Sequence, residues 1–130
     1  MPLNLVHTDN APAAIGPYSQ GIRVQGFVFG SGQLGIDPHT GKIPEDVRAQ
    51  TLMALANVEA IMAAGGSSRK KIVKITIFMT DIADYPVINE VYTEFFQGHG
   101  ILPARSALQV AALPKPEAKV EIEAIGRLEA

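Results

Sequence analysis

The sequence predicts an α+β fold in which about six strands form a sheet and two helices cover one of its faces. Two segments show apolar residues at helical spacing, and strand-like runs precede, separate and follow them in the order β-β-β-α-β-α-β-β. The chain has 130 residues, of which 47% are hydrophobic, so it can build one core. No repeat, low-complexity segment or linker divides it, and we predict a single domain over residues 1–130.

The first part of the chain is predicted to contain three short strands. Residues 3–7 can form the first strand, and residues 22–24 and 27–29 form the next two. The intervening Gln25-Gly26 pair is typical of a tight hairpin turn, because both central residues of such a turn need positive φ angles. We therefore expect the second and third strands to pair directly.

Two glycine-punctuated segments in this region leave alternatives open. Residues 30–35, Gly-Ser-Gly-Gln-Leu-Gly, lack the Lys and Ser/Thr of a phosphate loop and the glycine spacing of a dinucleotide site. Glycines at a strand end indicate either a bulge or turn, or a close approach of the backbone to a small ligand. Tyr18 lies in a similar segment, residues 16–21, where a turn with a partly buried ring is the simplest interpretation.

The two helices have recognisable ends. The first should run from about Asp46 to Ala64 and stop at Gly65-Gly66. For the second, Asp84 is the expected N-cap and Pro86 fits the first turn. The apolar stripe of this second helix comprises Val87, Ile88, Val91, Tyr92, Phe95 and Phe96.

Residues 72–81 form the clearest strand pattern. One face is wholly apolar and comprises Val73, Ile75, Ile77 and Met79. The other face is mixed and comprises Ile72, Lys74, Thr76, Phe78 and Thr80. Since successive side chains of a strand point to opposite faces, the apolar face should lie under the helices. The mixed face is too apolar for open water, and we expect it to meet another subunit across a wet interface.

Two further strands are predicted near the C-terminus, within residues 103–110 and 120–125. Pro103 suits the start of a strand, which places Arg105 at the mouth of the sheet. Its guanidinium can bind a carboxylate through two parallel hydrogen bonds. A surface ion pair is, however, the commoner role of an arginine in such a position. Glu121 lies inside the second apolar run, and an ion pair with a nearby basic residue is its simplest interpretation.

Composition and charge argue against several classes of function. The net charge is −2, the pI is about 5.9, and the densest basic cluster, residues 69–71, is too short to follow a phosphate backbone, so nucleic-acid binding is not expected. There is no cysteine, which rules out disulfides and thiolate chemistry. His7, His39 and His99 lie far apart, so we predict no metal site. No signal-like or membrane-spanning segment appears, and a cytoplasmic protein is expected.

Four separated motifs, at residues 10–21, 31–33, 103–106 and 120–124, closely resemble the RidA (YjgF) family of reactive-imine deaminases in order and spacing. This resemblance implies a chorismate-mutase-like fold with one mostly antiparallel six-stranded sheet. It also implies a homotrimer built around a central barrel, with ligand clefts between subunits. Such an assembly would cover the mixed face of the sheet.

The resemblance implies an activity as well. Family members hydrolyse 2-aminoacrylate, 2-iminopropionate, 2-iminobutyrate and related imino acids to 2-keto acids and ammonia, without a cofactor. These imines come from pyridoxal-phosphate dehydratases and otherwise damage other enzymes. The expected protein is thus a hydrolase that acts on C=N bonds in metabolite damage control.

Site residues follow from the same motifs, position by position. Arg105 matches the arginine that binds the substrate carboxylate, and Glu121 matches the glutamate linked to the catalytic water. The implied substrate-binding residues are Tyr18, Ser31, Gly32, Asn89 and Arg105. Ala107 departs from the family pattern, because many members have cysteine there, and it excludes a cysteine-dependent role.

Three other functions are compatible with some of these observations. The same cleft could capture small carboxylates such as 2-keto acids as a sensor, without catalysis. Some relatives have been described as endoribonucleases or translation inhibitors, but the acidic balance argues against an RNA-directed role. On a chaperone-like role the sequence gives no indication.

Overall fold

The computed structural model describes residues 2–129 and contains the predicted order of elements. The α-helices and β-strands, in chain order, are β1 (Asn4–Val6), β2 (Gly21–Val24), β3 (Phe27–Leu34), α1 (Val47–Ala64), β4 (Ile72–Met79), α2 (Tyr85–Phe95), β5 (Ala104–Gln109) and β6 (Val120–Arg127). Short 3₁₀ turns at Arg69–Lys71 and Ile82–Asp84 lead into β4 and α2. The predicted α+β class is confirmed.

All six strands belong to one sheet with the order β1-β2-β3-β6-β4-β5. Every neighbouring pair is antiparallel except β4 and β5, which run parallel. The C-terminal strand β6 therefore lies in the interior of the sheet, and β5 forms one of its edges. Arg105 accordingly stands on an edge strand, whereas Glu121 stands on a central one.

The hairpin between β2 and β3 has the predicted geometry. Gln25 and Gly26 have φ angles of 42° and 86°, as a turn with two left-handed central residues requires. The strand after it is longer than predicted and runs through the glycine-rich segment to Leu34. Its register against β6 shifts between Gly30 and Gln33, so Ser31 and Gly32 form a bulge.

Helix α1 begins and ends where the sequence predicts. The side chain of Asp46 accepts a hydrogen bond from the amide of Ala49 at 2.8 Å and so caps the N-terminus. At the other end the amide of Gly65 donates to the carbonyl of Ile61 at 3.0 Å. These two bonds satisfy backbone groups that a helix terminus otherwise leaves unpaired.

The start of α2 differs from the prediction. The side chain of Asp84 makes no capping hydrogen bond, and its backbone is already helical, with φ −79° and ψ −11°. The cause is the preceding 3₁₀ turn, which runs directly into the helix, whereas a capping residue needs an extended backbone. Asp81 performs the capping instead, one turn earlier, by accepting from the amide of Ala83 at 2.9 Å.

Strand β4 follows the predicted alternation over most of its length but not at its start. Ile75, Ile77 and Met79 are completely buried, as expected, whereas Val73 is 39% exposed and Ile72 is buried. The register of β4 against β6 shifts between Ile72 and Lys74. One extra residue in a strand reverses the alternation on one side of it, so the faces predicted for Ile72 and Val73 were wrong.

Both helices pack on the same face of the sheet and enclose one core. Completely buried side chains from each layer meet there, among them Leu55, Ile61, Ile75, Ile77, Ile88 and Ile122. The described residues leave the opposite face uncovered, and Phe27, Phe29 and Leu108 are each more than 40% exposed on it. In residues 2–129, no helix is long and apolar enough to cross a membrane.

Candidate active site

Arg105 projects from β5 towards α2. It pairs with Ile75 of β4, whose side chain faces the helices, so Arg105 lies on the helix side of the sheet. Its Nη1 donates to Oδ1 of Asn89 at 2.8 Å, and its Nη2 donates to the hydroxyl of Tyr85 at 2.6 Å. The guanidinium carbon lies 4.7 Å from the ring centre of Tyr92. Three side chains of one helix therefore hold this half-buried arginine.

Arg105 has no carboxylate partner within residues 2–129. In contrast, Arg48 pairs with Glu90 at 2.7 Å, and Arg69 pairs with Glu59 at 2.6 Å. The simpler interpretation of Arg105 as a surface ion pair does not hold in this chain. Its hydrogen-bond acceptors, Oδ1 of Asn89 and the hydroxyl of Tyr85, carry no negative charge that would offset the charge of the guanidinium.

A cleft of about 600 Å³ adjoins this arginine. Its lining includes Asn89, Tyr92, Phe96, Leu102 and Pro103 as well as Arg105. The hydroxyl of Tyr92 is buried and has no hydrogen-bond partner in the described chain. Burial raises the pKa of this phenol above its usual value, and the nearby positive charge of Arg105 opposes that shift. The cleft thus combines a cation, hydrogen-bonding groups and an apolar wall.

Glu121 occupies the other face of the sheet. It pairs with Phe78 of β4, one position away from the completely buried pair of Ile77 and Ile122. Its carboxylate lies directly over the bulge in β3, so close that a Cβ added to Gly32 would stand 2.9 Å from Cδ of Glu121. Only glycine fits at position 32 without displacing this side chain.

The electrostatic surroundings of Glu121 favour its neutral form. Burial raises the pKa of the carboxyl group above its usual value, and the negative charge of Glu123 raises it further. The described part of the chain provides neither an ion pair nor a hydrogen bond to this carboxylate. The interpretation of Glu121 as a structural ion pair therefore does not hold here either, and a half-buried carboxylate remains available to a ligand or to water.

Tyr18 and the β3 bulge surround this carboxylate. Tyr18, Gly32, Pro114 and Glu121 line a small pocket of about 60 Å³. Ser31 joins the bulge to the Tyr18 loop, since its hydroxyl donates to the carbonyl of Ser19 at 2.6 Å and its amide donates to the carbonyl of Gln20 at 2.9 Å. Tyr18 is 47% exposed, so it lines the pocket and is also open to solvent.

Gln20 is a supporting residue that the sequence reasoning missed. Its buried side-chain amide donates to the carbonyls of Thr8, Ala11 and Pro12, at 3.0, 3.2 and 2.8 Å, and its Oε1 accepts from the amide of Thr8 at 2.8 Å. It thereby fixes the loop that carries Tyr18. The only sign of it in the sequence is its place within the motif of residues 10–21, because the partners are backbone groups that no residue pattern reveals.

The predicted site residues thus form two groups that one chain does not bring together. Arg105 and Asn89 lie on the helix side of the sheet. Tyr18, Ser31, Gly32 and Glu121 lie around the bulge, with Glu121 on the opposite face.

Ala107 follows Arg105 on the helix side and packs against the core beside Ile77. Over residues 2–129, no three His, Asp or Glu side chains are grouped to hold a metal ion.

The fold and the two groups of residues define a class of small α+β proteins with a half-buried arginine on an edge strand and a half-buried glutamate beside a glycine bulge. Residues 8–128 match the family described as Endoribonuclease L-PSP. The chain is 50% identical to TdcF of Escherichia coli over 122 residues, which covers 93% of this chain and 94% of the relative.

A second relative, from Salmonella typhimurium, is named 2-iminobutanoate/2-iminopropanoate deaminase. It is 49% identical over 121 residues, which cover 92% of this chain and 94% of the relative. The crystal structure of E. coli TdcF with bound serine superimposes with a TM-score of 0.93 at 48% identity, and the match covers 97% of this chain and 99% of that one. This chain therefore belongs to the RidA (YjgF) family, and the resemblance found in its sequence is confirmed.

Proposed function

We propose that this protein hydrolyses reactive 2-imino and enamino acids, such as 2-aminoacrylate, 2-iminopropionate and 2-iminobutyrate, to 2-keto acids and ammonia. The observation that carries the proposal is Arg105, a half-buried guanidinium without a carboxylate partner among residues 2–129, held by neutral acceptors beside an open cleft. Such a group is suited to bind a small carboxylate through a bidentate pair of hydrogen bonds. Two relatives support the substrate class, one through its deaminase name and the other through its bound serine.

The chemistry requires water as the only co-reactant. An enamino acid such as 2-aminoacrylate first becomes its imine, as one proton is lost from nitrogen and one is gained at the methylene carbon. The oxygen of a water molecule attacks the imine carbon and forms a C–O bond, while the C=N π electrons move to nitrogen. One proton of the water passes to that nitrogen and gives a carbinolamine. The hydroxyl proton of the carbinolamine then passes to the same nitrogen as the C=O bond forms, the C–N bond breaks and ammonia leaves. Arg105 holds the substrate carboxylate throughout these steps.

Glu121 would serve as the proton relay. In its ionised form the carboxylate accepts a proton from the attacking water, and it then returns the proton to the departing nitrogen. A protonated imine is already electrophilic, so the remaining barrier is small, and each tenfold gain in rate needs only about 1.4 kcal/mol. Positioning the carboxylate and one water can supply such a gain.

The proposed active site needs two copies of the chain. Arg105 and Glu121 lie on opposite faces of one sheet, and therefore the Arg105 of one copy would have to meet the Glu121 of another. The uncovered sheet face, with exposed Phe27, Phe29 and Leu108, offers an apolar surface for such association. We propose a homotrimer in which these faces form a central barrel and the clefts lie between neighbouring subunits. In each subunit the whole chain would form a single domain.

The remaining predicted residues take supporting roles in this proposal. Tyr18 would line the cleft beside the substrate, and the backbone of Ser31 and Gly32 would lie along it. Asn89 already accepts a hydrogen bond from Arg105 through Oδ1, so its side-chain amide group is the part left to donate to a ligand. We propose that Asn89 acts on the carboxylate both directly and through the arginine.

The decisive experiment is an imine competition assay. A dehydratase or oxidase generates 2-aminoacrylate or 2-iminopropionate in situ, semicarbazide traps the free imine, and the protein is expected to divert the imine to the keto acid. Arg105→Ala should abolish diversion, and Arg105→Lys should reduce it because lysine lacks the planar fork. Arg48→Lys is the matched control, since Arg48 makes only an exposed ion pair with Glu90.

A non-catalytic carboxylate sensor is the competing hypothesis, and the same variants separate it from a deaminase. A sensor would bind 2-oxobutanoate in calorimetry, and would lose that binding in Arg105→Ala, but would divert no imine from semicarbazide. Diversion that is equal in the parent protein and in Arg105→Ala would count against both hypotheses, because each places Arg105 at the ligand.

A further inference from the structure

Three residues on one face of α2 enclose the guanidinium of Arg105. Tyr85, Asn89 and Tyr92 follow one another at intervals of four and three residues, which places their side chains on the same side of the helix. The ring centres of Tyr85 and Tyr92 lie 5.6 and 4.7 Å from the guanidinium carbon, and Asn89 lies between the two tyrosines along the helix. The edge strand thus supplies the cation, and the helix supplies its surroundings.

Two of these residues fix the orientation of the guanidinium plane. The hydroxyl of Tyr85 accepts from Nη2 at 2.6 Å, while Oδ1 of Asn89 accepts from Nη1 at 2.8 Å. Each terminal nitrogen therefore has its own acceptor, and rotation of the group would break at least one bond. Because a guanidinium has five N–H donors, several still remain for a ligand after these two bonds.

The contrast with Arg69 shows what neutral partners achieve. Arg69 is held by the carboxylate of Glu59, through Nε at 2.8 Å and Nη2 at 2.6 Å, and this ion pair neutralises its charge. The phenol and amide acceptors of Arg105 also restrain its side chain, but they bring no negative charge to offset the charge of the guanidinium. A long side chain that is already ordered loses less conformational entropy when it binds a ligand.

We propose that Tyr85 is a positioning residue for the carboxylate-binding arginine. Its hydroxyl holds the guanidinium group of Arg105 in the orientation that receives the substrate carboxylate. Tyr85 thereby sets the affinity of the site for 2-keto and 2-imino acids. The proposal rests on the proposed role of Arg105. It assigns to Tyr85 a task that neither the sequence motifs nor the predicted site residues include.

The test removes the hydroxyl and keeps the ring. In Tyr85→Phe, the Kd for 2-oxobutanoate, measured by calorimetry on the assembled protein, is expected to rise about three- to tenfold, which corresponds to about 0.6–1.4 kcal/mol, the net value of an ordinary hydrogen bond. KM should rise by a similar factor, whereas kcat should stay within about twofold, because the water and Glu121 are untouched. The melting temperature should change little.

A matched control and a spectroscopic measurement distinguish positioning from a general structural effect. Thr51→Val also removes a helical hydroxyl, but that hydroxyl lies in α1, does not line the cleft and bonds only to the backbone carbonyl of Val47, at 2.7 Å, so ligand affinity should match that of the parent protein. The ¹⁵N signals of the Arg105 side chain should show slowed rotation of the Nη groups in the parent protein and faster rotation in Tyr85→Phe.

Three results would overturn the proposal. The first is an unchanged Kd in Tyr85→Phe while Arg105→Ala abolishes binding, an outcome that leaves the proposed function intact. The second is a weaker Kd without any change in the Arg105 side-chain signals. The third is undiminished 2-oxobutanoate binding in Arg105→Ala, which would overturn the proposed function of the arginine as well.

Discussion

Arg105 and Glu121 lie on opposite faces of the same six-stranded sheet. Arg105 pairs with Ile75 on the helix side, whereas Glu121 pairs with Phe78 on the uncovered side, and one strand, β4, separates their two strands. No rotation of either side chain can bring the two groups into one cleft through a hydrogen-bonded sheet. A reaction that uses both therefore depends on the association of separate copies.

This arrangement predicts that two inactive variants restore activity when their chains are mixed. Arg105→Ala and Glu121→Ala should each lose imine diversion. If each cleft takes Arg105 from one subunit and Glu121 from the next, random mixing in equal amounts should restore about a quarter of the parental activity, because about one cleft in four then receives both intact residues. Activity is measured after co-refolding or co-expression.

Each variant carried alone through the same procedure is the control for that experiment. A mixture as inactive as its components, although size measurements show mixed assemblies, would mean that a single chain supplies both residues. The proposal that each cleft takes Arg105 and Glu121 from different subunits would then be wrong.

The raised pKa of Glu121 predicts the pH dependence of the reaction. Because the ionised carboxylate accepts the proton, kcat/KM should fall as the pH is lowered through the pKa of Glu121, at a pH above the usual glutamate value of 4.5. Burial is the main cause of the raised pKa, and the charge of Glu123 is the second cause. Glu123→Gln removes that second cause, so it should move the acidic limb of the profile to lower pH.

A profile recorded from about pH 5 to pH 8, corrected for spontaneous imine hydrolysis, tests this shift. Glu94→Gln is the control, because Glu94 is an exposed residue of α2 on the other side of the sheet. An acidic limb that stays in place in Glu123→Gln, or moves to higher pH, would argue against Glu121 as the titrating group.

Gly32→Ala should be harmful because of one specific contact. A methyl group at this position would overlap the carboxylate of Glu121, with Cδ only 2.9 Å from the added carbon. Because the overlap falls on the far end of a flexible side chain that can swing aside, we expect a loss of less than about 1 kcal/mol in the free energy of unfolding, below the usual cost of overpacking, and a clear fall in turnover as Glu121 is displaced. Denaturant unfolding and the imine assay measure the two effects.

The double variant Gly32→Ala/Glu121→Ala provides the internal check, because shortening Glu121 removes the overlap. It should be more stable than the sum of the two single effects predicts. Simple additivity would show that the cost at position 32 arises from the backbone and not from Glu121.

Gln20 should prove essential for the order of the Tyr18 loop. Gln20→Glu keeps the acceptor but replaces the donor group, so a carboxylate oxygen would face the carbonyls of Thr8, Ala11 and Pro12. We expect a destabilisation of about 2–4 kcal/mol, since buried acceptors lose their partners and a buried charge is added, together with faster amide exchange in residues 12–19.

Gln97→Glu makes the same substitution at an exposed position, so it should change neither the free energy of unfolding nor the amide exchange of residues 12–19. If Gln20→Glu leaves amide exchange in the Tyr18 loop unchanged, then the loop is held mainly by contacts other than Gln20.

Local sequence patterns predicted most of the secondary structure. The bounds of α1, the Gln25-Gly26 hairpin and the order of elements depend on interactions between residues close in the chain, so they can be read from spacing and end signals. The errors occur where a distant strand intervenes. The bulge that exposes Val73 is a mismatch between β4 and β6, which are more than 40 residues apart in the chain, and alternation within β4 cannot reveal it.

The candidate site divides in the same way. Arg105 and Glu121 were predicted as its principal residues from the sequence, since their chemistry and motifs belong to short stretches of chain. The sequence by itself thus determined the family and the order of the elements, and it singled out these two residues as candidates. Only the tertiary structure decided that Tyr85 and Asn89 hold Arg105, that Gln20 fixes the Tyr18 loop, and that the arginine and the glutamate face opposite ways. Those relationships depend on strand register and helix packing, which arise from contacts between segments far apart in the chain.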